Sequence, residues 1–249
     1  MRLIYLFIFI YVSSTITAYT PYDIKSFKDP QQLLKHIEQL YREESSYATL
    51  SMSVNTPNFT RKVKFEVWSM GEDFTLIKIM YPKKEKGIAT LKRKQNMWNY
   101  LPKIKRRIKI PVSMMSGSWM GSDFTNDDLI KQSQLEKDYH LILKEEKDLY
   151  KINLNPKVNA PTVWGKIIIS IQKTSLTPNE YIYYDEKGKK IRTLSFDKLK
   201  NFSGRKIPSR LKMINHLKTN QNTILEYQKL DFSIKLDKDF FNFRNLEAP

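Results

Sequence analysis

The sequence predicts a mainly β protein of about ten antiparallel strands with a few helices, and two features predict it. Apolar and polar residues alternate with period two through most of the chain after Tyr47, and short turns rich in Gly, Pro, Asn and Asp separate the runs. Short connections join antiparallel neighbours, because a parallel pair needs a crossover of a dozen or more residues. The 249 residues suit one large β domain, and with 41% hydrophobic and 12% aromatic residues the chain can bury a sizeable core.

The N-terminus reads as a secretory signal. Met1-Arg2 is a short positive region, Leu3 to Val12 is apolar, and Ser13 to Ala18 is small and polar. Cleavage is expected after Ala18, leaving 19–249 as a single domain. Ten apolar residues are about half of what a membrane-spanning helix needs, so the segment is an export signal rather than an anchor. The chain has no Cys, which rules out disulfides, thiolate chemistry and a lipid anchor on a cysteine.

Asp29-Pro30 opens the first helix as N-cap and first helical residue. Leu33, Leu34, Ile37, Leu40 and Tyr41 then form one apolar face over about three turns. Strands are expected over Tyr47–Val54, Lys62–Met70, Phe74–Tyr81 and Ile88–Lys94. Two of these are apolar on both faces. Val63, Phe65 and Val67 lie opposite Trp68 and Met70, and Ile77 and Ile79 lie opposite Phe74 and Leu76. One face meets a core, and the other needs a second sheet, helices or a ligand.

Lys103 to Ile110 alternates so that Lys103, Lys105, Arg107 and Lys109 share one face, which predicts a strand with its charges in water. A docking stripe for anionic headgroups is the alternative. Further strands are expected over Tyr139–Lys144, Leu149–Leu154, Trp164–Gln172, Tyr181–Tyr184, Lys190–Phe196, Arg210–Leu217 and Thr223–Phe232. Asp185 to Gly188 reads as a hairpin turn and Asp237 to Phe240 as a short helical turn.

The formal net charge of +17 attracts polyanions. Only ten of the 43 basic residues are Arg, however, and base readout and bidentate phosphate grips rest on Arg. The Lys excess therefore reads as a solvated surface drawn to anionic membranes or glycans, with no nucleic-acid partner. No catalytic motif stands out, and His36, His140 and His216 are the only imidazoles. Asp123, Asp127 and Asp128 could be taken for a metal cluster or an acid/base pair. The run Ser122 to Leu129 fits a helix start better, with Thr125 or Asn126 as cap and the two later Asp at the positive end of the dipole. No metal and no cofactor are expected.

Pro111 to Gly121 places Met114, Met115, Met120 and Trp119 among Gly and Ser, an apolar surface on a loose backbone. A buried loop is the plain explanation. A movable cavity rim that accepts ligands of variable shape is the sharper one.

Three segments carry a resemblance: Met97-Trp98-Asn99-Tyr100-Leu101-Pro102, Ser118-Trp119-Met120-Gly121-Ser122-Asp123-Phe124-Thr125-Asn126-Asp127-Asp128-Leu129, and Pro161-Thr162-Val163-Trp164. Ile207 to Leu211, Phe240 and Leu246 add to it. Together they resemble the LolA-like outer-membrane lipoprotein-sorting proteins, in their longer branch. The resemblance implies a strongly curved antiparallel sheet, an incomplete barrel, closed by helices over an apolar cavity for acyl chains. It also implies a periplasmic, non-catalytic carrier of lipid or a lipidated protein, served by an inner-membrane transporter and an outer-membrane acceptor. Phe65, Val67, Ile77, Ile79, Met97, Leu101, Met114, Met115, Trp119 and Met120 are the lipid-binding candidates. The rival expectations are an envelope interaction protein whose core is filled by its own side chains, and a glycan-acting enzyme built on Asp123, Asp127 or Asp128.

Overall fold

In the computed structural model, residues 27–41, 43–131 and 135–248 are described. The expected signal and its cleavage point lie outside them. The described chain folds as one antiparallel sheet of thirteen strands, in the order β6-β5-β4-β3-β2-β1-β13-β12-β11-β10-β9-β8-β7. The strands are β1 (Ser45–Asn55), β2 (Thr60–Met70), β3 (Phe74–Tyr81), β4 (Ala89–Arg93), β5 (Asn96–Leu101), β6 (Arg106–Lys109) and β7 (Tyr139–Glu145). They continue as β8 (Leu149–Pro156), β9 (Lys166–Gln172), β10 (Pro178–Tyr184), β11 (Lys190–Phe202), β12 (Arg205–Asn215) and β13 (Asn222–Asp231).

Two meanders, β1 to β6 and β7 to β13, are zipped together by the pairing of β1 with β13, from Tyr47 opposite Asp231 to Asn55 opposite Asn222. Edges β6 and β7 remain unpaired with each other, so the strongly curved sheet is an incomplete barrel. The segment joining them crosses the concave face. It carries α2 (Asn126–Lys131) and α3 (Leu135–Asp138), while α1 (Pro30–Gln39) covers the same face from the N-terminal side. Asp29 caps α1, its Oδ1 accepting from the Gln31 amide at 3.0 Å, with Pro30 in the first turn as expected.

Twelve of the thirteen strands fall on the twelve runs expected from the sequence, and the unexpected one is β5. Its alternation is masked by polar Asn96 and Asn99, yet Trp98 and Tyr100 face one side and Met97 the other. The strand expected over Lys103–Ile110 shrinks to Arg106–Lys109. A turn over Pro102–Ile104 and a left-handed Lys105, at φ 51°, interrupt the period-two run before it starts. Its charges are not simply solvated. The Arg107 guanidinium lies 4.4 Å above the Phe243 ring and pairs with Glu247 at 2.9 Å, and Lys109 sits 5.8 Å over Trp98. Asp185 makes the expected hairpin turn: its Oδ1 accepts from the Lys187 and Lys189 amides at 3.0 and 2.8 Å, and Gly188 takes φ +76°.

The two-faced strands resolve into two cores. Val63, Phe65, Ile77 and Ile79 point into the concave face and join the main cluster with Leu33, Leu34 and Ile37 of α1. Leu76, with Trp68, Met70 and Phe74 packed beside it, points out of the convex face and is covered by Phe241 and Leu246. The second cover is thus the chain's own C-terminal segment, ending in α4 (Phe243–Glu247).

Candidate functional site

Between the concave sheet and its covering segments lies a cavity of about 240 Å³, close to the lower end of ligand pockets at about 300 to 1,000 Å³. Its floor is built by inward residues of adjacent strands: Ala48 and Leu50 of β1, Phe65 and Val67 of β2, Ile77 of β3, Leu194 and Phe196 of β11, Leu211 and Met213 of β12. Period two puts each of these on the same face as its neighbour's, so the floor is continuous and apolar. The roof comes from Ile37 of α1, Tyr41 just beyond it, Trp119 and Phe124 of the crossing segment, Leu129 of α2 and Leu135 of α3.

The roof is held at two points. Trp119 is 3% exposed; its ring meets Phe65 edge-on at 5.5 Å and its Nε1 donates to Thr90 Oγ1 at 3.3 Å. Four residues on, the Asp123 carboxylate is wholly buried and accepts from Thr223 Oγ1 at 2.9 Å, Gln221 Nε2 at 2.8 Å and Lys218 Nζ at 3.2 Å. Asp123 therefore ties the crossing segment to β13 rather than opening the helix. Thr125 is the cap of α2: its Oγ1 accepts from the Asp128 amide and its own amide donates to Asp128 Oδ2.

Asp128 also receives Arg192 of β11 in a bidentate grip, Nη1 to Oδ2 at 2.8 Å and Nη2 to Oδ1. The guanidinium lies over both the Trp164 and Tyr183 rings, 4.5 and 4.4 Å from their centres, and the two rings touch each other with centres 5.1 Å apart. Burial alone pushes Arg192 down, but Asp128, Tyr183 and Asp127 outweigh it and keep the cation firmly protonated. Burial raises the cavity tyrosines Tyr41, Tyr181 and Tyr183, so their hydroxyls stay neutral. At the opposite wall, Lys92 is 4% exposed and donates to the Glu72 carbonyl at 2.8 Å. The site is therefore an apolar compartment with a few fixed polar anchors.

Of the residues singled out from the sequence, Phe65, Val67, Ile77, Met97 and Trp119 line the cavity together. Ile79 is buried in the same core without lining it. Met115 packs with Met97 and Ile110 in a side cluster against Leu129. Leu101 is half-buried on β5, Met114 is 58% exposed, and Met120 is half-buried at φ 50° with its carbonyl accepting from Arg61. The sequence reading missed Arg192, Lys92 and Tyr183. Arg192 carried a signal: it shares the period-two face of Leu194 and Phe196, where a lone cation among inward apolar residues needs a buried partner.

An unclosed antiparallel sheet curved around a helix-covered apolar cavity is the LolA-like fold, shared with several solved structures. A domain from Vibrio parahaemolyticus described as outer membrane lipoprotein-sorting aligns with a TM-score of 0.74 and 22% identity, over 87% of this chain and 97% of its own. A DUF1329 family protein from Desulfovibrio piger aligns at 0.77 and 22%, over 88% and 99%. A LolA superfamily protein from Nitrosomonas europaea aligns at 0.71 and 18%, over 86% and 97%. A family model described as an uncharacterized protein matches residues 71–248, and the chain belongs to that family. No curated protein matches it.

Proposed function

We propose that this protein is a non-catalytic envelope carrier that holds the acyl chains of a lipid or lipoprotein in the concave cavity. On this reading the chain is exported by its first 18 residues, and 19–249 works as one domain in the periplasm. The observation that carries it is the cavity itself: apolar strand residues form its floor while helices and the crossing segment form its roof. Burying about ten methylenes contributes about 8 kcal/mol, a micromolar scale of holding that still permits release. Handover between an inner-membrane transporter and an outer-membrane acceptor is the corresponding route. A core filled by the protein's own side chains, the interaction-protein alternative, is disfavoured by the 240 Å³ left open.

The test is lipid extraction and native mass spectrometry of protein purified without detergent, followed by titration with a dansyl-labelled fatty acid. Acyl lipid in near-equal amount, and a Phe65→Ala/Ala48→Trp pair that changes probe binding in opposite directions, are the expected results. Protein that carries no lipid and does not bind the probe overturns the proposal.

A further inference from the structure

All the strands pair antiparallel with their sheet neighbours, so the turns alternate between two ends of the sheet. The register places turns 56–59, 82–88, 102–105, 157–165, 185–189 and 216–221 at one end, as Asn55 opposite both Thr60 and Asn222, Ala89 opposite Tyr100, and Tyr184 opposite both Lys166 and Lys190 require. That end differs chemically from the other.

Its tips are apolar and exposed: Phe59 at 58%, Ile104 at 58%, Val158 at 89%, Val163 at 59% and Leu217 at 59%. Exposed lysines share that end: Lys83, Lys84 and Lys86 in one turn, Lys103 and Lys105 in the next, and Lys218, Lys187 and Lys189 in the turns on the far side of β1. The turns 82–88 and 102–105 touch, since a Cβ on Gly87 would come within 3.4 Å of the Pro102 ring. Glu85, the carboxylate of these two turns, is already paired with Arg61; of the two in the turn 185–189, Asp185 accepts from its own turn's amides and Glu186 is exposed. The turns of the opposite end carry exposed Glu72, Asp73, Glu146 and Asp148, with Glu43 and Glu44 beside them. Among the described residues those turns show no exposed large apolar side chain.

We propose that the lysine-bearing end is a docking face for an anionic phospholipid surface. Lysines near such a surface are drawn to its negative potential, and apolar tips interleaved with them enter the headgroup boundary and lose water contact. An acidic protein would engage the lysines alone and leave Val158 and Leu217 in water, so the combination favours a bilayer. The placement goes beyond the carrier reading, and its test needs no cargo.

The experiment is cosedimentation of the mature protein with vesicles of phosphatidylglycerol and phosphatidylcholine, compared with phosphatidylcholine alone. Binding to the anionic vesicles is expected, weakening as salt rises. K84E/K103E/K105E should lower it at least about tenfold. K147E/K235E/K238E, an equal charge change at the other end, should leave most of it. F59S/V163S/L217S should lower it several-fold at unchanged charge and melting temperature. Equal binding to neutral vesicles, equal loss from both lysine triples, or full binding by the apolar triple would each overturn the proposal, the last pointing to an acidic protein partner.

Discussion

Arg192 of β11 and Asp128 of α2 meet as a two-pronged pair across the cavity, Nη1 to Oδ2 at 2.8 Å and Nη2 to Oδ1, with the arginine side chain only 4% exposed. The pair joins the covering segment to the sheet floor and fixes how close α2 sits. Removing one partner strands a buried charge, so Arg192→Met is expected to cost about 3 to 5 kcal/mol. Arg192→Met with Asp128→Leu should recover much of that, because two apolar side chains leave no orphan charge. Urea unfolding of the three proteins and the parent measures the difference. A double variant no more stable than Arg192→Met would show that the loss comes from the Trp164 and Tyr183 stacking instead.

Asp123 makes a second and independent tie. Its buried carboxylate accepts from Thr223, Gln221 and Lys218, so Asp123→Ala leaves the Thr223 hydroxyl and Gln221 amide without their acceptor. A loss of about 2 to 4 kcal/mol is expected from hydrogen bonds to a charged group. Asp123→Asn should fall between alanine and the parent, because the amide still offers one acceptor oxygen. Thermal melts in the presence and absence of Ca²⁺ check both points: a melting temperature that calcium raises in the parent and not in Asp123→Ala would make the carboxylate a metal ligand instead of a tie.

The strands were legible because their period is local: β1, β2, β3 and the β10–β11 hairpin each declare themselves within a few residues. The cavity was legible only in part. Phe65, Val67 and Ile77 stand on a recognisable inward face, whereas the placement of Met114, Met115 and Met120 depends on how the crossing segment threads from β6 to β7. Lys92 and Arg192 were hidden for a different reason. Their partners lie far along the chain, the Glu72 carbonyl accepting from Lys92 and the Asp128 carboxylate pairing with Arg192, and no local pattern connects them.

The cover of the convex face was also beyond a local reading, and it makes a clear prediction. Phe241 is completely buried against Leu76 and Leu91 although it lies in a short C-terminal segment. Phe241→Ala should therefore destabilise by about 3 to 5 kcal/mol, as truncation of a core aromatic does. Acyl-probe affinity, measured where the variant remains folded, should stay near the parent's, since the cavity lies on the other face of the sheet. A large loss of affinity without loss of stability would place this segment in binding.

The buried His36 gives the fold a directional response to pH. Burial lowers its pKa below the usual 6.5, against a smaller opposing effect of the hydrogen bond between Nε2 and the Leu176 carbonyl at 3.1 Å. Just below pH 6.5 the unfolded chain therefore takes up the proton more readily than the folded one. Stability from neutral His36 is fully present above that pH, is lost as pH falls toward the folded-state value, and stops changing below it. His216 is lowered in the same direction, by burial and then by Lys190, so one histidine must be isolated from the other. Melting temperatures at pH 7.5 and 5.5 should show a drop in the parent that shrinks in His36→Asn and persists in His216→Asn to the extent that His36 carries it. An undiminished drop in His36→Asn would assign the pH response to groups elsewhere.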